Sequence, residues 1–297
     1  MHANHPGRLR PGVALFPSRI AMAATCVHAW PPSRGLVAWP CTHRVTNDPG
    51  CEQRTNEHPN ALPTLYIIPT PIGNLEDITL RALRTLREVP IVACEDTRVT
   101  GMLLKHYGIE GKRLVSCYSG NEQGRIPSLI EMLRVGQDVA LVSDAGTPGI
   151  SDPGVRLISA AIDAGITVVP LPGPSAAITA VVAAGLPTDS ILFEGFLPHK
   201  KGRQTMLRRL AESESTTVLY ESPYRVVKTL RELAEHCGNH RRAAVCRELT
   251  KMFEEINRGT LQQLYQEYAG RGSIKGEFVL VIEGKQKRAK EEPIAEE

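Results

Sequence analysis

The sequence predicts an α/β protein built from two domains in succession. Three observations support this fold class. The chain has 297 residues, which is long enough for two domains of ordinary size. From residue 64 onward, short apolar runs alternate with segments of helical periodicity. The apolar runs contain few polar residues, which is typical of strands that are buried on both faces of a parallel sheet.

The first half of this alternation predicts one parallel sheet with helices between its strands. We predict strands at residues 65–69, 91–94, 114–117, 139–143 and 167–171. We predict helices near residues 78–88, 99–107, 126–136 and 153–164. Parallel strands need such crossover helices, so the order of the elements agrees with the type of sheet.

A second round of the same alternation follows. We predict its strands at residues 191–196, 217–220, 243–247, 254–258 and 277–283. We predict its helices near residues 174–184, 202–212, 223–237 and 260–269. The sequence thus divides into an N-terminal domain at 63–173 and a C-terminal domain at 174–285, joined near Pro172-Gly173-Pro174.

Both ends of the chain differ from the rest. Residues 1–62 hold eight prolines, both tryptophans and no lysine, and no apolar periodicity is sustained there. We interpret them as a disordered or artefactual extension, with a targeting segment as the alternative. Residues 286–297 form a charged tail. The six arginines and three acidic residues of 1–62 account for the net charge of +3, so attraction to nucleic acid requires a local basic patch.

Cysteine spacing and hydropathy exclude several classes of protein. The seven cysteines show no CxxC pair and no Cys/His spacing typical of zinc, so we expect no metal and reduced thiols in a cytoplasmic protein. No run of about 18 apolar residues exists, and we therefore expect no membrane-spanning helix.

The loops after the predicted strands are the places to search for a ligand site, because open α/β sheets bind ligands at the carboxyl ends of their strands. The first loop, PTPIGNLEDIT, contains Pro71 and Gly73 but lacks the G-x-G-x-x-G pattern of dinucleotide sites. The second, CEDTR, places Glu95, Asp96 and Arg98 at a strand end. The structural alternative there is that Asp96 or Thr97 caps the next helix while Glu95 and Arg98 form a surface ion pair.

The loop SDAGTPGISDPG, residues 143–154, holds three glycines, two prolines and two aspartates in twelve positions. Its small residues suit a backbone that approaches a ligand closely. We interpret Asp152-Pro153 as the start of the next helix, with Asp152 as its N-cap. In the loop PLPGPSA, Gly173 or Ser175 can cap the following helix, and the small side chains also leave room for a flat ligand.

Three further loops carry charge. The segment LPHKKGRQTMLRR, residues 197–209, holds five cations and makes phosphate contacts plausible, although no aromatic residue is interleaved with them. YESPYRV offers Glu221, Tyr224 and Arg225, with Ser222 as a cap and Pro223 as the helix start. In CRELTKMFEE, an ordinary Arg247–Glu248 ion pair and a functional role are equally consistent with the pattern.

These segments, together with GEFVLVIEG, resemble in their order the ribosomal RNA small subunit methyltransferase I family of the tetrapyrrole (corrin/porphyrin) methylase superfamily. The resemblance covers roughly residues 64–284. It implies a class III methyltransferase fold, in which two α/β domains hold S-adenosylmethionine in the cleft between them, usually as a homodimer. It also implies 2′-O-methylation of a decoding-centre cytidine in the 16S rRNA of the small ribosomal subunit.

The resemblance also implies roles for individual residues. Gly146-Thr147-Pro148 matches a Gly-Asp-Pro segment of the relatives that act on tetrapyrroles. The residues expected at the cofactor are Pro71, Gly73, Asp144, Gly146, Thr147, Ile150, Ser175, Ala176, Tyr220, Glu248 and Thr250. Those expected at the RNA are Lys200, Lys201, Arg203 and Arg225.

Methyl transfer to a hydroxyl needs a group that removes the proton. Glu95, Asp96 and Glu221 are the candidate bases, Arg98 lies beside them in sequence, and Lys200 is a candidate for stabilising the developing alkoxide. Two alternatives remain open. One is methylation of a carbon on a tetrapyrrole, which the basic residues disfavour, and the other is a non-catalytic α/β binding module or a nucleotide-dependent oxidoreductase.

Overall fold

The computed structural model describes residues 63–286, which fall within one compact unit and form two five-stranded sheets. The predicted extension at 1–62 and residues 287–297 of the tail lie outside the described residues. Each sheet lies within one of the two predicted domains, and the division of the chain into domains at 63–173 and 174–285 stays a prediction. Among the described helices, the longest has 13 residues, and none has the length and hydropathy for a bilayer crossing.

The first sheet is parallel throughout, as the sequence predicts. Its strands are β1 (Thr64–Ile67), β2 (Ile91–Cys94), β3 (Arg113–Ser116), β4 (Val139–Val142) and β5 (Thr167–Pro170). They lie in the order β3-β2-β4-β1-β5. β2 and β4 are fully buried because helices cover both faces of this sheet.

The helices of the first half are α1 (Leu80–Glu88), α2 (Thr97–His106), α3 (Glu122–Arg134) and α4 (Val155–Asp163). Apolar residues of α3 and α4 pack on one face of the sheet, and those of α1 and α2 pack on the other. A short 3-10 helix, Leu75–Asp77, follows the loop after β1. Every predicted strand and helix of this half is confirmed to within a few residues.

The second sheet is mixed. Its strands are β6 (Ile191–Phe196), β7 (Thr216–Glu221), β8 (Arg242–Arg247), β9 (Glu255–Thr260) and β10 (Phe278–Ile282), in the order β6-β7-β10-β8-β9. Only β6 and β7 pair in parallel, because a crossover helix joins them. β8 and β9 are joined by a short loop without a helix and pair antiparallel, and β10 is antiparallel to both β7 and β8.

Four helices cover this second sheet: α5 (Ala176–Ala184), α6 (Arg203–Glu212), α7 (Val226–Cys237) and α8 (Leu261–Ala269). α6, α7 and α8 build the larger core on one face. α5 packs on the other face together with Ile72 from the loop after β1. That contact joins the loops of the first sheet to the second sheet, and it brings the carboxyl ends of β1, β4 and β5 close to β7 and β10.

Candidate functional site

A central cavity of about 320 Å³ lies where the loops of the first sheet meet the second sheet. It is lined by Ile72, Ala145, Gly146, Thr147, Ile150, Ser151, Asp152, Ser175, Ala176, Phe196, Tyr220, Glu221, Ser222, Pro223, Gly276, Glu277, Phe278 and Val279. The lining thus comes from the ends of β1, β4, β5, β6 and β7 and from the start of β10. Its volume lies within the range of about 300–1,000 Å³ that is common for small-molecule sites.

The loop after β4 is tied to the loop after β1 by backbone hydrogen bonds. Thr70 N donates to Gly146 O at 2.9 Å, and Gly146 N donates to Thr70 O at 3.0 Å. The Ser143 hydroxyl donates to Gly146 O at 3.1 Å, and the Thr70 hydroxyl donates to Ser143 O at 2.9 Å. The cavity floor is therefore a rigid crossing of two loops, which is the arrangement that the glycine-rich and proline-rich sequence favours.

The wall formed by the start of α5 is also held from the loop after β4. The Thr147 hydroxyl donates to Pro174 O at 3.1 Å. Ser175 is the N-cap residue of α5, but its side chain makes no capping hydrogen bond. Its hydroxyl is therefore available to a ligand. Opposite, the Tyr220 ring packs edge-on against Phe193 and Phe196 at centroid distances of 5.2 and 5.7 Å, and burial raises the pKa of its hydroxyl.

Three non-glycine residues have positive φ in the part of the chain that the structure describes, and all three lie at this site. Ser151, at φ 62°, lines the central cavity. Glu248 and Thr250, at φ 50° and 65°, lie in the loop after β8. Residues in this conformation store strain and cluster at functional sites. The local backbone thus marks the same region as the cavity does.

Glu248 and Thr250 brace the cavity rather than line it. Glu248 Oε1 accepts from Glu277 N at 2.9 Å and from Lys251 Nζ at 3.1 Å. The hydroxyl oxygen of Thr250 accepts from Asn74 N at 3.1 Å. Because this loop crosses so close to the one after β1, a Cβ at Gly73 would lie 2.4 Å from Lys251 Cγ. We therefore assign Gly73 to this close crossing.

Three of the residues predicted at the cofactor line a neighbouring side pocket of about 470 Å³. Pro71, Gly73 and Asp144 line this side pocket and do not line the central cavity. Among the residues predicted at the cofactor, those that line the central cavity are Gly146, Thr147, Ile150, Ser175, Ala176 and Tyr220. The predicted residues thus divide between the lining of the central cavity and the loops that support it.

Four carboxylates lie together at the ends of β2 and β4. Asp96 N donates to Asp144 Oδ1 at 3.1 Å, so the two strand ends are in direct contact. Burial raises the pKa of Glu95, and the charges of Asp144, Asp152 and Asp96 raise it further. Burial also raises the pKa of Asp152, with Asp144 adding to the shift and a hydrogen bond from Ser143 opposing it.

Asp96 behaves differently from these raised carboxyls. It is the N-cap residue of α2, and it pairs with Arg98 at 2.6 Å. The hydrogen bonds from Arg98 lower the pKa of Asp96 to about 2. Asp96 is therefore a weak proton acceptor, and Arg98 is occupied in holding it. The capping role that the sequence suggests for Asp96 is confirmed, and the ion pair joins Arg98 to Asp96 rather than to Glu95.

The interpretation of Asp152 as an N-cap is wrong. α4 begins at Val155, and its N-cap residue is Gly154 at φ 126°, a conformation that favours glycine. Gly154 N donates to the buried Glu122 Oε1 at 3.0 Å, so a distant carboxylate satisfies the start of the helix. Asp152 is freed from capping and lines the central cavity. No local sequence signal distinguishes this arrangement from an ordinary Asp-Pro helix start.

Glu221 and Arg225 hold the loop after β7 together. The Glu221 side chain is fully buried. Its Oε1 accepts from Ser222 N and from the Arg225 guanidinium, both at 2.8 Å, and its Oε2 accepts from the Thr229 hydroxyl at 2.7 Å. Arg225 also donates to Leu197 O at 3.2 Å. Glu221 is thus not placed to act as a base, nor Arg225 to bind phosphate, contrary to the sequence prediction.

The start of α7 also differs from the prediction. Neither Ser222 nor Pro223 begins the helix, because α7 starts at Val226 with Arg225 as its N-cap residue. Arg225 N and Val226 N both donate to Ser222 O at 3.0 Å, which closes a turn ahead of the helix. This turn carries Tyr224 outward into solvent.

Arg203 is, after Arg225, the second predicted RNA contact whose guanidinium is not accessible to RNA in the structure. It is only 3% exposed, and its guanidinium pairs with Glu232 at 2.6 Å. It also donates to the Thr229 hydroxyl at 2.8 Å and to Pro198 O at 3.1 Å. A phosphate cannot reach a guanidinium that is enclosed in this way. Arg203 therefore has a structural role, which the charge pattern alone could not show.

Lys200 and Lys201 remain available, since both are exposed. The basic segment, residues 197–209, also includes the exposed Arg208. None of these three cations forms an ion pair within residues 63–286, whereas Arg209 pairs with Glu194. The free positive charge of this segment therefore lies on Lys200, Lys201 and Arg208, and the two lysines lie in the loop that follows Phe196 of the cavity lining.

Comparisons with known proteins agree with this architecture. The sequence profile of the family Tetrapyrrole (Corrin/Porphyrin) Methylases matches residues 64–265. The chain is similar to the uroporphyrin-III-C-methyltransferase structure from Thermus thermophilus, with a TM-score of 0.53, 22% identity, and coverage of 74% of this chain and 94% of the other. A cobalt precorrin-4 methyltransferase gives the same TM-score at 19% identity and covers 73% and 94%. At this identity the likeness establishes the fold.

Several relatives of higher identity are called ribosomal RNA small subunit methyltransferase I. The protein from Mesorhizobium japonicum is 52% identical over 74% of this chain and 75% of the relative. That from Hydrogenobaculum sp. is 51% identical over 73% and 94%, and that from Escherichia coli O157:H7 is 48% identical over 76% and 79%. Because the family profile spans residues 64–265 and these relatives match about three quarters of the chain at 48–52% identity, the chain belongs to the ribosomal RNA small subunit methyltransferase I family of the tetrapyrrole (corrin/porphyrin) methylases.

Proposed function

We propose that this protein transfers the methyl group of S-adenosylmethionine to the ribose 2′-oxygen of a decoding-centre cytidine in 16S rRNA. The names of its relatives support methylation of small-subunit rRNA. The observation that carries the proposal is the central cavity, which has a rigid floor at Gly146–Thr147 and includes Phe196, the residue that precedes the exposed loop of the unpaired Lys200 and Lys201. A methyl donor and a polyanion would meet there.

The lining of the central cavity fits S-adenosylmethionine. Ile72, Ala176 and Val279 provide apolar walls, while the free Ser175 hydroxyl and exposed backbone of the loops provide polar groups. The loop after β1 has no glycine-rich pyrophosphate site, which suits a donor without a diphosphate. When bound, this cofactor supplies an activated methyl group. The role of the chain is then to orient the hydroxyl, to exclude water and to accept a proton.

Asp152 is the base that the geometry favours. It lines the central cavity, whereas Glu95 lies behind it in the carboxylate cluster. A raised pKa makes a carboxylate a stronger proton acceptor, and both carboxyls carry that shift. Asp96 is weakened by Arg98, and Glu221 is fully engaged. We therefore assign proton removal to Asp152, with Glu95 tuning its surroundings.

Lys200 and Lys201 hold the RNA backbone in this proposal. Both side chains extend from an exposed loop, which suits contacts to phosphate oxygens more than stabilisation of an alkoxide inside the cavity. The same proposal has the protein acting as a homodimer in the cytoplasm, where the described cysteines, Cys94, Cys117, Cys237 and Cys246, remain free thiols.

Two measurements test the proposed function. Calorimetry with S-adenosylmethionine, S-adenosylhomocysteine and NAD should show heat with the first two only, and binding of NAD alone would overturn the cofactor assignment. Mapping of methylated riboses in small subunits incubated with the protein should reveal one new 2′-O-methylcytidine. Methylation of a tetrapyrrole carbon, with none in the rRNA, would instead establish the alternative chemistry.

A further inference from the structure

An open aromatic hollow adjoins the central cavity on its solvent side. It encloses about 730 Å³ and is lined by Phe196, Leu197, Pro198, His199, Ser222, Tyr224 and Arg225. These residues come from the loops after β6 and β7, and Phe196 and Ser222 line the central cavity as well. A group bound in the aromatic hollow would therefore lie next to whatever occupies the cavity.

Two aromatic rings are exposed in this hollow. Tyr224 is 95% exposed and Phe196 is 54% exposed, although aromatic side chains usually bury most of their surface. Both are held on rigid supports. Arg225, next to Tyr224, is anchored to the buried Glu221 and to Leu197 O, and the Phe196 ring packs against Tyr220. Their exposure is thus part of the folded structure of two braced loops.

The charges around the hollow favour a polyanion. Lys200 and Lys201 follow His199 of the hollow directly in the chain, and neither they nor Arg208 of α6 has an ion-pair partner in the described part of the chain. The remaining arginines nearby, Arg203 and Arg225, are neutralised by Glu232 and Glu221. Exposed aromatic rings beside free cations are the features by which proteins bind unpaired nucleotides, with rings stacking on bases and cations contacting phosphates.

We propose that the aromatic hollow binds an unpaired base of the RNA substrate, stacked on Tyr224 and supported by Phe196, while Lys200 and Lys201 hold the adjoining phosphates. This inference rests on the proposed function and adds to it a requirement for single-stranded RNA. Stacking would remove the base from its neighbours and leave its ribose at the shared edge of the hollow and the central cavity.

Binding of a fluorescein-labelled oligocytidylate, followed by fluorescence anisotropy, tests the proposal. Tyr224→Ala should weaken binding by about 10- to 100-fold, which corresponds to the loss of one stacked base. Tyr224→Trp should retain affinity, and its indole emission should be quenched when the RNA is added. Tyr224→Leu keeps an apolar side chain without a ring and should bind as weakly as alanine does.

Tyr118→Ala is the matched control, because Tyr118 is an exposed tyrosine in the loop after β3. Affinity for S-adenosylhomocysteine should be the same in all variants, which shows that each is folded. If Tyr224→Ala binds the RNA within twofold of Tyr118→Ala, or if Tyr224→Leu binds as the unmodified protein does, the hollow is not a stacking site. The stacking proposal is also overturned if the unmodified protein does not bind oligocytidylate.

Ribose mapping tests the proposed function independently of the binding experiment. If the unmodified protein methylates a ribose and Tyr224→Ala does so with the same KM for RNA, the stacking proposal fails and the function stands. If oligocytidylate binding depends on Tyr224 but no ribose is methylated, the stacking site stands and the proposed reaction fails.

Discussion

At the scale of single residues, the chemistry of the site depends on which of four neighbouring carboxyl groups have a raised pKa and which have a lowered one. Burial raises the pKa of Glu95, and the negative charge that Asp96 keeps because Arg98 donates to it raises that pKa further. Asp144 acts in the same direction on both Glu95 and Asp152. The pair with raised pKa is therefore the pair suited to accept a proton, and only Asp152 of that pair lines the central cavity.

Asp152→Asn should lower kcat by about 10²- to 10⁴-fold, because the amide cannot accept the proton of the ribose hydroxyl. Binding of S-adenosylhomocysteine should change little, since the substitution preserves shape. Methyl transfer to small subunits at saturating cofactor measures the effect. Asp163→Asn, at the exposed end of α4, is the matched control. Wild-type kcat in Asp152→Asn would remove Asp152 from the mechanism.

Asp144→Asn should move the acid limb of the kcat/KM profile to lower pH. The base must be ionised to act, so activity falls as the pH drops through its raised pKa. Neutralising Asp144 removes a negative neighbour and lowers that pKa, while the asparagine oxygen can still accept from Asp96 N. A pH series on both proteins measures the shift. An unchanged limb, or one displaced to higher pH, would contradict this assignment.

At the scale of elements, the loops that carry function are held in place by buried ion pairs behind them. Arg203 at the start of α6 bonds Glu232 and Thr229 of α7 and the carbonyl of Pro198. Glu221 at the end of β7 bonds Arg225 and the same Thr229. This network joins β7, α6 and α7, and its outer side carries Lys200 and Tyr224. The basic segment of the sequence thus contains two kinds of residue: exposed lysines, and the buried Arg203 that holds their loop in place.

Arg203→Ala should lower the free energy of unfolding by about 3–5 kcal/mol, because Glu232 would remain buried and unpaired. Replacing both partners with apolar residues, as in Arg203→Met with Glu232→Leu, should recover most of the loss. Urea unfolding measures both. Arg208→Ala, on the exposed side of the same helix, should change stability by less than about 0.5 kcal/mol. Equal stability of Arg203→Ala and Arg208→Ala would contradict this role.

Element boundaries show where local sequence patterns fail. Asp152-Pro153 and Ser222-Pro223 both resemble helix starts, yet α4 and α7 begin two to three residues after the prolines. In each case a turn precedes the helix, closed by Gly149 N donating to Pro153 O in one and by Ser222 O accepting in the other. In both places residues ahead of the helix, Asp152 in one and Ser222 and Pro223 in the other, line the central cavity.

At the scale of the whole molecule, local charge matters more than the net charge of +3. The cations available to RNA lie on the basic segment, beside the carboxyl ends of β6 and β7. The exposed Arg134 lies at the opposite, amino-terminal end of the strands of the first sheet, where α3 ends before β4. RNA affinity should therefore depend on where a positive charge is removed.

Replacing Lys200 and Lys201 together with alanine should make the slope of log K against log salt concentration for oligocytidylate less negative by about 1.4, because each phosphate contact on single strands contributes about 0.7. Anisotropy titrations at several salt concentrations measure this slope. Arg134→Ala removes one positive charge from the amino-terminal end of the first sheet's strands, away from the basic segment, and should leave the slope unchanged. A double variant with the wild-type slope would place the RNA elsewhere.

The sequence by itself determined the order and type of the elements, the family and the loops that meet at the site. Periodicity and strand-end motifs are local properties, so they can be read without coordinates. Only the tertiary structure decided that the second sheet is mixed, that Asp152 lines the central cavity, that Arg203 and Glu221 are buried supports, and that Tyr224 and Phe196 lie beside the free lysines. Burial and ion pairing depend on partners from distant strands, and linear spacing does not specify those partners.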